Sequence, residues 1–288
     1  MIYLKLVLTM VIWGGTFIAG RVVVQTVPPF AAAFCRFAIA SLCLLLLTLQ
    51  FEGKLPRLNR RQLLAIVLLG MSGVFAYNAF FFLGLQTTPA SRAALIIALN
   101  PVAIALGSAL FNRESLPPLK ILGISLSLVG AAVVIAGGNP LDLLTGGINL
   151  GDGFLLGCVL SWSTYTLVGK RVMATLSPFA ATTYACIVGA IALFIPATFQ
   201  GLLQQWQSYS PLAWLGLAYL GCLGTALGFN WYYEGLQAIG SARAGIFINL
   251  VPVAAVFLAA LLLQEPLSPA LVLGGSLVIL GVYCTNAR

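Results

Sequence analysis

The sequence contains no histidine, six acidic and fourteen basic residues, and only 7% of its 288 positions are charged. Without histidine the chain cannot form a Ser-His-Asp catalytic set or a histidine metal site. A GxxxxGK[ST] phosphate-binding sequence is absent, and so is a pair of aspartates within one apolar stretch. The six cysteines show no metal-ligand spacing and are interpreted as packing residues. These absences argue against an enzyme or an ATP-driven pump, and no cofactor is predicted.

So little charge is also too little to cover a soluble protein of this length, and 61% of the residues are hydrophobic. A helix needs about 20 mostly apolar residues to cross a bilayer. Ten stretches meet that need: Leu4–Val24, Pro29–Leu49, Leu63–Leu85, Arg92–Phe111, Leu119–Gly137, Gly151–Met173, Pro178–Phe199, Pro211–Gln237, Ser241–Leu263 and Pro269–Asn286. The first stretch has no cleavage-like region after it, so we expect a retained helix. The chain is predicted to be an all-α polytopic protein of the plasma membrane. The lipid bilayer is its predicted partner, and no binding to nucleic acid is predicted.

The basic residues indicate an orientation. Eleven of the fourteen fall in loops on one side, and only Arg21 and Arg92 fall on the other. Because cytoplasmic loops collect Lys and Arg, both termini are predicted to lie in the cytoplasm. Three acidic residues, Asp142, Asp152 and Glu265, then lie outside.

The two halves of the sequence repeat each other. Gly84-Leu85-Gln86 matches Gly235-Leu236-Gln237, an offset of 151 positions. The same offset pairs Arg92 with Arg243, Pro101 with Pro252, Glu114 with Glu265, Gly123 with Gly274 and Gly130 with Gly281. Trp13 aligns with Trp162, and one inserted residue brings Asn78 opposite Asn230. Five spans in each half put the second half into the membrane upside down. The predicted units are residues 1–138, a connecting loop at 139–150, and residues 151–288.

Inverted five-helix repeats are typical of transporters. The Trp13-Gly14 pair and the Gly-Leu-Gln, Arg-Ala, Pro-Val-Ala and Glu blocks resemble the EamA-like repeats of the drug/metabolite transporter superfamily over nearly the whole chain. Within it, the sequence is most similar to the YddG-type amino-acid exporters. The resemblance implies a central cavity framed mainly by the third, fourth, eighth and ninth spans, with the first and sixth nearby. It also implies export of amino acids, the aromatic ones included, by alternating access.

Aromatic and amide residues recur at matched places in these spans. Aromatic faces suit apolar side chains and ammonium groups, and amides pair with both ends of a zwitterion. The candidate substrate-binding residues are Trp13, Tyr77, Asn78, Phe81, Trp162, Tyr165, Asn230, Trp231 and Glu234. The alternatives are tight packing of the tryptophans beside small residues, and an aromatic belt at the membrane surface.

Two charged residues fall well inside predicted spans. Glu234 is either a proton carrier or partner of a substrate amine, or it lies near the cytoplasmic end, solvated or paired with Arg243. Arg36 either meets a substrate carboxylate or extends outward to the membrane surface.

Pro101 and Pro252 lie mid-span at equivalent positions, beside the amides Asn100 and Asn249. A proline within a helix removes one hydrogen bond and displaces the carbonyl four residues earlier. The freed carbonyls either bind substrate or act at a gate, or neighbouring helices satisfy them.

These features predict a facilitative exporter of amphipathic molecules: aromatic and other neutral amino acids such as methionine and threonine. The scarcity of cavity cations argues against sugar phosphates. The alternative is a proton-coupled exporter of hydrophobic cations, and a structural or receptor-like protein would show no flux. The sequence predicts no particular oligomeric state, and a monomer is compatible with it.

Overall fold

The computed structural model describes residues 1–112, 117–136, 149–172, 175–239 and 247–286. Regular structure within these ranges is entirely helical. The α-helices are α1 (Ile2–Val23), α2 (Pro29–Glu52), α3 (Arg60–Leu69), α4 (Tyr77–Thr87), α5 (Ala90–Ile97), α6 (Asn100–Asn112), α7 (Pro118–Ile135), α8 (Leu150–Val172), α9 (Pro178–Phe199), α10 (Leu202–Gln205), α11 (Pro211–Ala218), α12 (Gly228–Ile239), α13 (Leu250–Leu262) and α14 (Pro269–Asn286). Two π-helices, π1 (Gly70–Ala76) and π2 (Tyr219–Leu227), join α3 to α4 and α11 to α12.

Seven helical stretches in the described part of the chain are long and apolar enough to cross a membrane. Two shorter apolar helices, Leu250–Leu262 and Pro269–Thr285, lie where the ninth and tenth spans are predicted. The sixth predicted span coincides with α8, which carries Asp152 and a run of hydroxyl residues. The all-helical membrane architecture is therefore confirmed, whereas the count of ten spans stays a prediction.

The outer surface of the bundle is apolar. Leu42 and Leu46 on α2, and Ile191 and Ile195 on α9, are each about 60% exposed (60%, 59%, 64% and 61%) although α2 and α9 pack against each other. Contiguous exposed apolar side chains of this kind are unusual on a soluble protein but suit contact with lipid tails. The buried core lies between the helices and includes Phe81.

Helix starts follow from local sequence. Proline occupies the first turn of α2, α7, α9 and α11, where its missing N–H leaves no bond unmade. Asn59 caps α3 by accepting from the Gln62 N–H, and the Gln62 side chain accepts from the Asn59 N–H in return. Ser177 and Ser210 cap α9 and α11 with one bond each, their hydroxyl oxygens accepting from the N–H groups of Ala180 and Ala213.

The close contact of α7 with α14 depends on glycine. A Cβ added at Gly123 would lie 2.6 Å from the carbonyl oxygen of Gly281. One added at Gly130 would lie 2.6 Å from that of Gly274. Side chains at these positions would force the two backbones apart.

Two turns directly precede helices that carry a proline in their first turn. α5 ends at Ile97, a turn follows at positions 98–99, and α6 begins at Asn100. A second turn at positions 248–249 precedes α13. Pro101 and Pro252 lie in the first turns after these breaks, where the absence of a proline N–H is tolerated.

Candidate functional site

One group of aromatic rings connects α4 to α8. The rings of Tyr77 and Trp162 lie with centroids 5.5 Å apart. Tyr77 also stacks on Phe81 at 6.1 Å, and Trp162 stacks on Tyr165 at 5.1 Å. The Tyr165 ring lies directly over Gly73 of π1, where any Cβ would collide with it. Four of the predicted substrate-binding residues therefore form one continuous aromatic surface, which we call the α4–α8 cluster.

A second group of rings connects α1 to α12. The Trp13 ring lies 5.8 Å from Phe229 and 5.3 Å from Tyr232, measured between centroids. Its indole Nε1–H donates to the Gly224 carbonyl of π2 at 2.9 Å. This bond satisfies the donor of the half-buried indole and holds the ring against π2, directly before α12. We call this group the α1–α12 cluster.

The two clusters are built in the same way. Trp13 and Trp162 are counterparts in the sequence repeat, and Phe229 and Tyr77 each directly precede the repeated asparagines Asn230 and Asn78. In each half, the tryptophan meets the aromatic ring next to the asparagine of another helix. Both contacts form directly after a π-helix, a geometry that is frequent at functional sites.

The two asparagines have different partners. Asn78 is buried; its amide donates to the Val74 carbonyl at 2.9 Å and accepts from the Arg36 guanidinium at 3.0 Å. Asn230 is half-buried and donates to Glu234 at 3.4 Å. Trp231 lies beside Asn230 on α12, half-buried, and the ring contacts described for Trp13 do not include it.

Glu234 forms an ion pair that the sequence analysis missed. Its carboxylate lies 2.5 Å from the Lys5 ammonium of α1, and both side chains are more than a third exposed (39% and 34%). The predicted alternative partner, Arg243, lies outside the described residues. Since Lys5 is near the start of α1, the pair lies at the end of the bundle that contains the N-terminus.

The opposite end of the bundle is held together by a polar network. Arg92 of α5 pairs with Asp152 of α8, with Nε 2.9 Å from Oδ1, and Asp152 is completely buried. Arg21 at the end of α1 donates to the carbonyl oxygens of Leu85 and Gln86 at the end of α4. Arg92 and Asp152, which the sequence predicts on the outer side, are therefore neighbours, whereas Asp142 lies outside the described residues.

Glu265 closes the same end. Its carboxylate accepts from the backbone N–H groups of Ala90 (2.8 Å) and Ser91 (3.0 Å), and from the Ser91 hydroxyl. An acidic side chain at a helix N-terminus satisfies free N–H groups and complements the helix dipole. Gln264, the residue before it, has a positive φ of 53°, in the left-handed region that few residues other than glycine adopt.

The residues beside the interrupted helices are placed as follows. Asn100 begins α6, and its side-chain oxygen is buried without a hydrogen-bond partner. Asn249 precedes α13 and is half-buried, and Pro252 is buried within that helix. The Val251 N–H bonds to the Ile248 carbonyl at 3.0 Å, a tighter bond than an α-helix makes.

The π-helices were missed in the sequence, although a signal was present. π1 contains Gly70 and Gly73, and π2 contains Gly221 and Gly224, again 151 positions apart. All four are buried, and each contacts a neighbouring helix so closely that a Cβ would collide. A repeated Gly-x-x-Gly just before an aromatic-amide segment marks where the helices widen.

Comparison with known proteins agrees with this architecture. The EamA-like transporter family matches residues 1–136 and 149–287, so the chain belongs to that family, within the drug/metabolite transporter superfamily. The chain is 28% identical over 285 residues to the uncharacterized transporter YyaM of Bacillus subtilis (strain 168), covering 99% of this chain and 93% of YyaM. It is 30% identical over 289 residues to a "Probable terminal-alkyne amino-acid exporter" of Streptantibioticus cattleyicolor, covering 98% of this chain and 92% of the exporter.

A third relative bears on location. The chain is 28% identical over 286 residues to the uncharacterized inner membrane transporter YedA of Escherichia coli (strain K12), covering 96% of this chain and 90% of YedA. The chain is accordingly a multi-pass membrane transporter that acts on small molecules, and the homologues are transporters rather than enzymes.

Proposed function

We propose that this chain exports amino acids, both aromatic ones and other neutral ones such as methionine and threonine, by alternating access through a central cavity. Transport is facilitative in this proposal. The protein lies in the bacterial inner membrane, and we propose that both termini face the cytoplasm and that it works as the YddG-type exporters do.

The observation that carries the proposal is the matched construction of the two aromatic clusters. Trp13 contacts Phe229, and Trp162 contacts Tyr77, at equivalent places in the two halves. Aromatic faces bind apolar side chains and ammonium groups, and the adjacent Asn78 and Asn230 supply amide donors and acceptors. Such a surface matches an amphipathic, zwitterionic substrate better than a highly charged one.

Alternating access needs two halves that can exchange conformations. We propose that residues 1–138 and 151–288 are these halves, inverted relative to each other and joined by 139–150. The glycine contacts of α7 and α14 support this division. If each glycine is replaced by its counterpart in the other half, the contact of Gly123 with Gly281 becomes the contact of Gly274 with Gly130, which is also present. Asn100, Pro101, Asn249 and Pro252 are proposed to act at the gates, at the turn between α5 and α6 and at the turn before α13.

The polar network at the end opposite the N-terminus suits a cavity that is closed on that side. Arg92, Asp152 and Glu265 join α5, α8 and the segment after α13. In the proposed orientation this is the periplasmic side, so these contacts must separate before substrate leaves.

The ion pair of Glu234 with Lys5 favours facilitative export over proton coupling. A carboxylate that carries coupling protons must be released from its counter-charge in each cycle, whereas facilitated transport needs no such group. One homologue is named an amino-acid exporter, which supports the same substrate class. A proton-coupled exporter of hydrophobic cations is the outcome that would replace this proposal.

The test is uptake into liposomes that contain the purified protein, with labelled phenylalanine, methionine and threonine compared with a labelled quaternary amine. Each is measured with and without a pH gradient. We expect saturable amino-acid flux that does not depend on the gradient. Flux of the quaternary amine alone, driven by protons, would reject the proposal.

A further inference from the structure

Arg36 is a cation in the interior of a membrane helix with no carboxylate partner among the described residues. It lies seven residues after Pro29, about 10 Å along α2. Each described acid is accounted for elsewhere: Asp152 pairs with Arg92, Glu234 pairs with Lys5, Glu265 caps α5, and Glu52 is exposed at the far end of α2. Arg36 therefore has no carboxylate counter-ion in the described part of the protein, and its guanidinium carbon lies instead 5.2 Å from the centre of the Phe37 ring.

The hydrogen bonds of Arg36 are also incomplete. Nη1 donates to the Asn78 side-chain oxygen at 3.0 Å, but Nε is buried without a partner. A guanidinium offers five N–H donors, and burying a charge without pairing it is costly. An anionic group that reached the remaining donors would therefore stabilise the arrangement.

The position of Arg36 connects it to the proposed substrate site. Its guanidinium carbon lies 5.8 Å from the centre of the Phe81 ring, and Phe81 stacks on Tyr77. Asn78, which holds the guanidinium, is the neighbour of Tyr77 on α4. The cation therefore lies at one edge of the α4–α8 cluster, whose rings can bind the apolar part of the same molecule.

We propose that Arg36, oriented by Asn78, binds the carboxylate of the transported molecule. Arginine suits this role because its planar donors match the two oxygens of a carboxylate. The inference rests on the proposed function and adds a requirement to it: the substrate must carry a carboxylate, and the rings of the α4–α8 cluster bind its side chain. Hydrophobic cations that lack a carboxylate would then not be substrates.

The test is competition against labelled phenylalanine uptake in liposomes, with three unlabelled compounds: phenylalanine, phenylalaninamide and 3-phenylpropionate. In the unmodified protein, phenylalaninamide should inhibit at least about tenfold more weakly than phenylalanine, because it lacks the carboxylate. In Arg36→Gln, the apparent affinity for phenylalanine and 3-phenylpropionate should fall about tenfold or more, and that for phenylalaninamide should not fall. Arg61→Gln, which removes an exposed charge at the start of α3, is the matched control and should behave as the unmodified protein.

Asn78→Asp keeps the test decisive if Arg36→Gln does not fold. It places a carboxylate about where the Asn78 amide oxygen now lies, 3.0 Å from Nη1, so the protein supplies its own counter-charge. This variant should fold at least as stably as the unmodified protein yet lose saturable uptake of labelled phenylalanine. A purely structural Arg36 would leave that uptake intact, and this result would overturn the inference.

The outcomes separate the two proposals. If the unmodified protein moves no amino acid, the proposed function and the role of Arg36 both fail. If it moves amino acids but Arg36→Gln retains the preference for carboxylates, the transport function survives and the role of Arg36 is rejected.

Discussion

The hydroxyl of Ser127 donates to the carbonyl oxygen of Val278 at 3.4 Å, and these two residues are 151 positions apart. Because the same offset relates the two halves of the sequence, the bond joins a residue to its own counterpart, as happens at a twofold axis. The glycine contacts on either side obey the same exchange. The contact between α7 and α14, which we call the seam, thus joins equivalent helices of the proposed repeats.

Substitution of Gly130 by leucine should destabilise this seam. Even a Cβ would meet the backbone oxygen of Gly274, which cannot move as a flexible side chain does. Overpacking of this kind costs about 1–3 kcal/mol. Thermal unfolding in detergent should show a lower Tm for Gly130→Leu. Gly153→Ala is the control, because nothing lies within 4 Å of its added Cβ; an equal loss in both variants would contradict the account of the seam.

Removal of either matched tryptophan should slow transport without lowering the yield of folded protein. Trp13→Ala and Trp162→Ala each remove the tryptophan that occupies the equivalent place in its cluster. In the proposal each ring also contacts the substrate. Because one aromatic contact contributes about 0.5–1.5 kcal/mol, we expect an apparent affinity for phenylalanine that is about two- to tenfold weaker. Trp206→Ala, at an exposed position outside the membrane helices, should transport normally. Unchanged kinetics in both cluster variants would show that these rings only pack.

Asn230→Ala and Trp231→Ala test the less contacted part of the site. We expect reduced flux in both at normal folded yield, since an amide and an indole on α12 are proposed to contact substrate. Initial rates of uptake in liposomes measure this directly. Transport at the unmodified rate in both variants would remove α12 from the substrate site.

Glu234→Gln should leave transport independent of a pH gradient. The residue is ion-paired with Lys5, and facilitative export uses no coupling proton. Exchange of unlabelled for labelled phenylalanine should continue at an unchanged rate. If the unmodified protein instead shows gradient-driven flux that Glu234→Gln abolishes while exchange persists, the carboxylate carries protons and the facilitative account is wrong.

Asp152→Asn should lower the Tm substantially. Asp152 is completely buried, and its loss leaves the Arg92 side chain, 19% exposed, without its described counter-ion. Loss of one partner of a buried pair costs roughly 3–5 kcal/mol. The double variant Arg92→Gln, Asp152→Asn should recover part of the loss, because no charge is then left unpaired. A double variant whose loss equals the sum of the two single losses would show that the pair does not couple these helices.

Much of this fold could be predicted from composition and repetition. The scarcity of charge and the apolar stretches predict membrane helices, and Gly123 and Gly130 with their counterparts mark the helix contact that the structure contains. These glycines can be recognised in the sequence because two helix backbones approach closely only where the residues lack a side chain.

Pairwise partners could not be predicted in the same way. Lys5 and Glu234 are 229 positions apart, and which of several bases reaches the carboxylate depends on how α1 packs on α12. The local widening of an α-helix into a π-helix is likewise set by packing, here of π1 against residues such as Tyr165. Arg36 is unusual by its position in the sequence alone, but its incomplete hydrogen bonding depends on how Asn78 and Phe81 pack around it.

The most direct test of the central claim is counterflow. Liposomes that contain the protein are loaded with unlabelled phenylalanine, diluted into a trace of labelled phenylalanine without a pH gradient, and followed over time. Alternating access through a shared site predicts transient accumulation of label inside, above its outside concentration. Entry that only approaches the outside concentration, or no entry, would contradict the account of an amino-acid exporter.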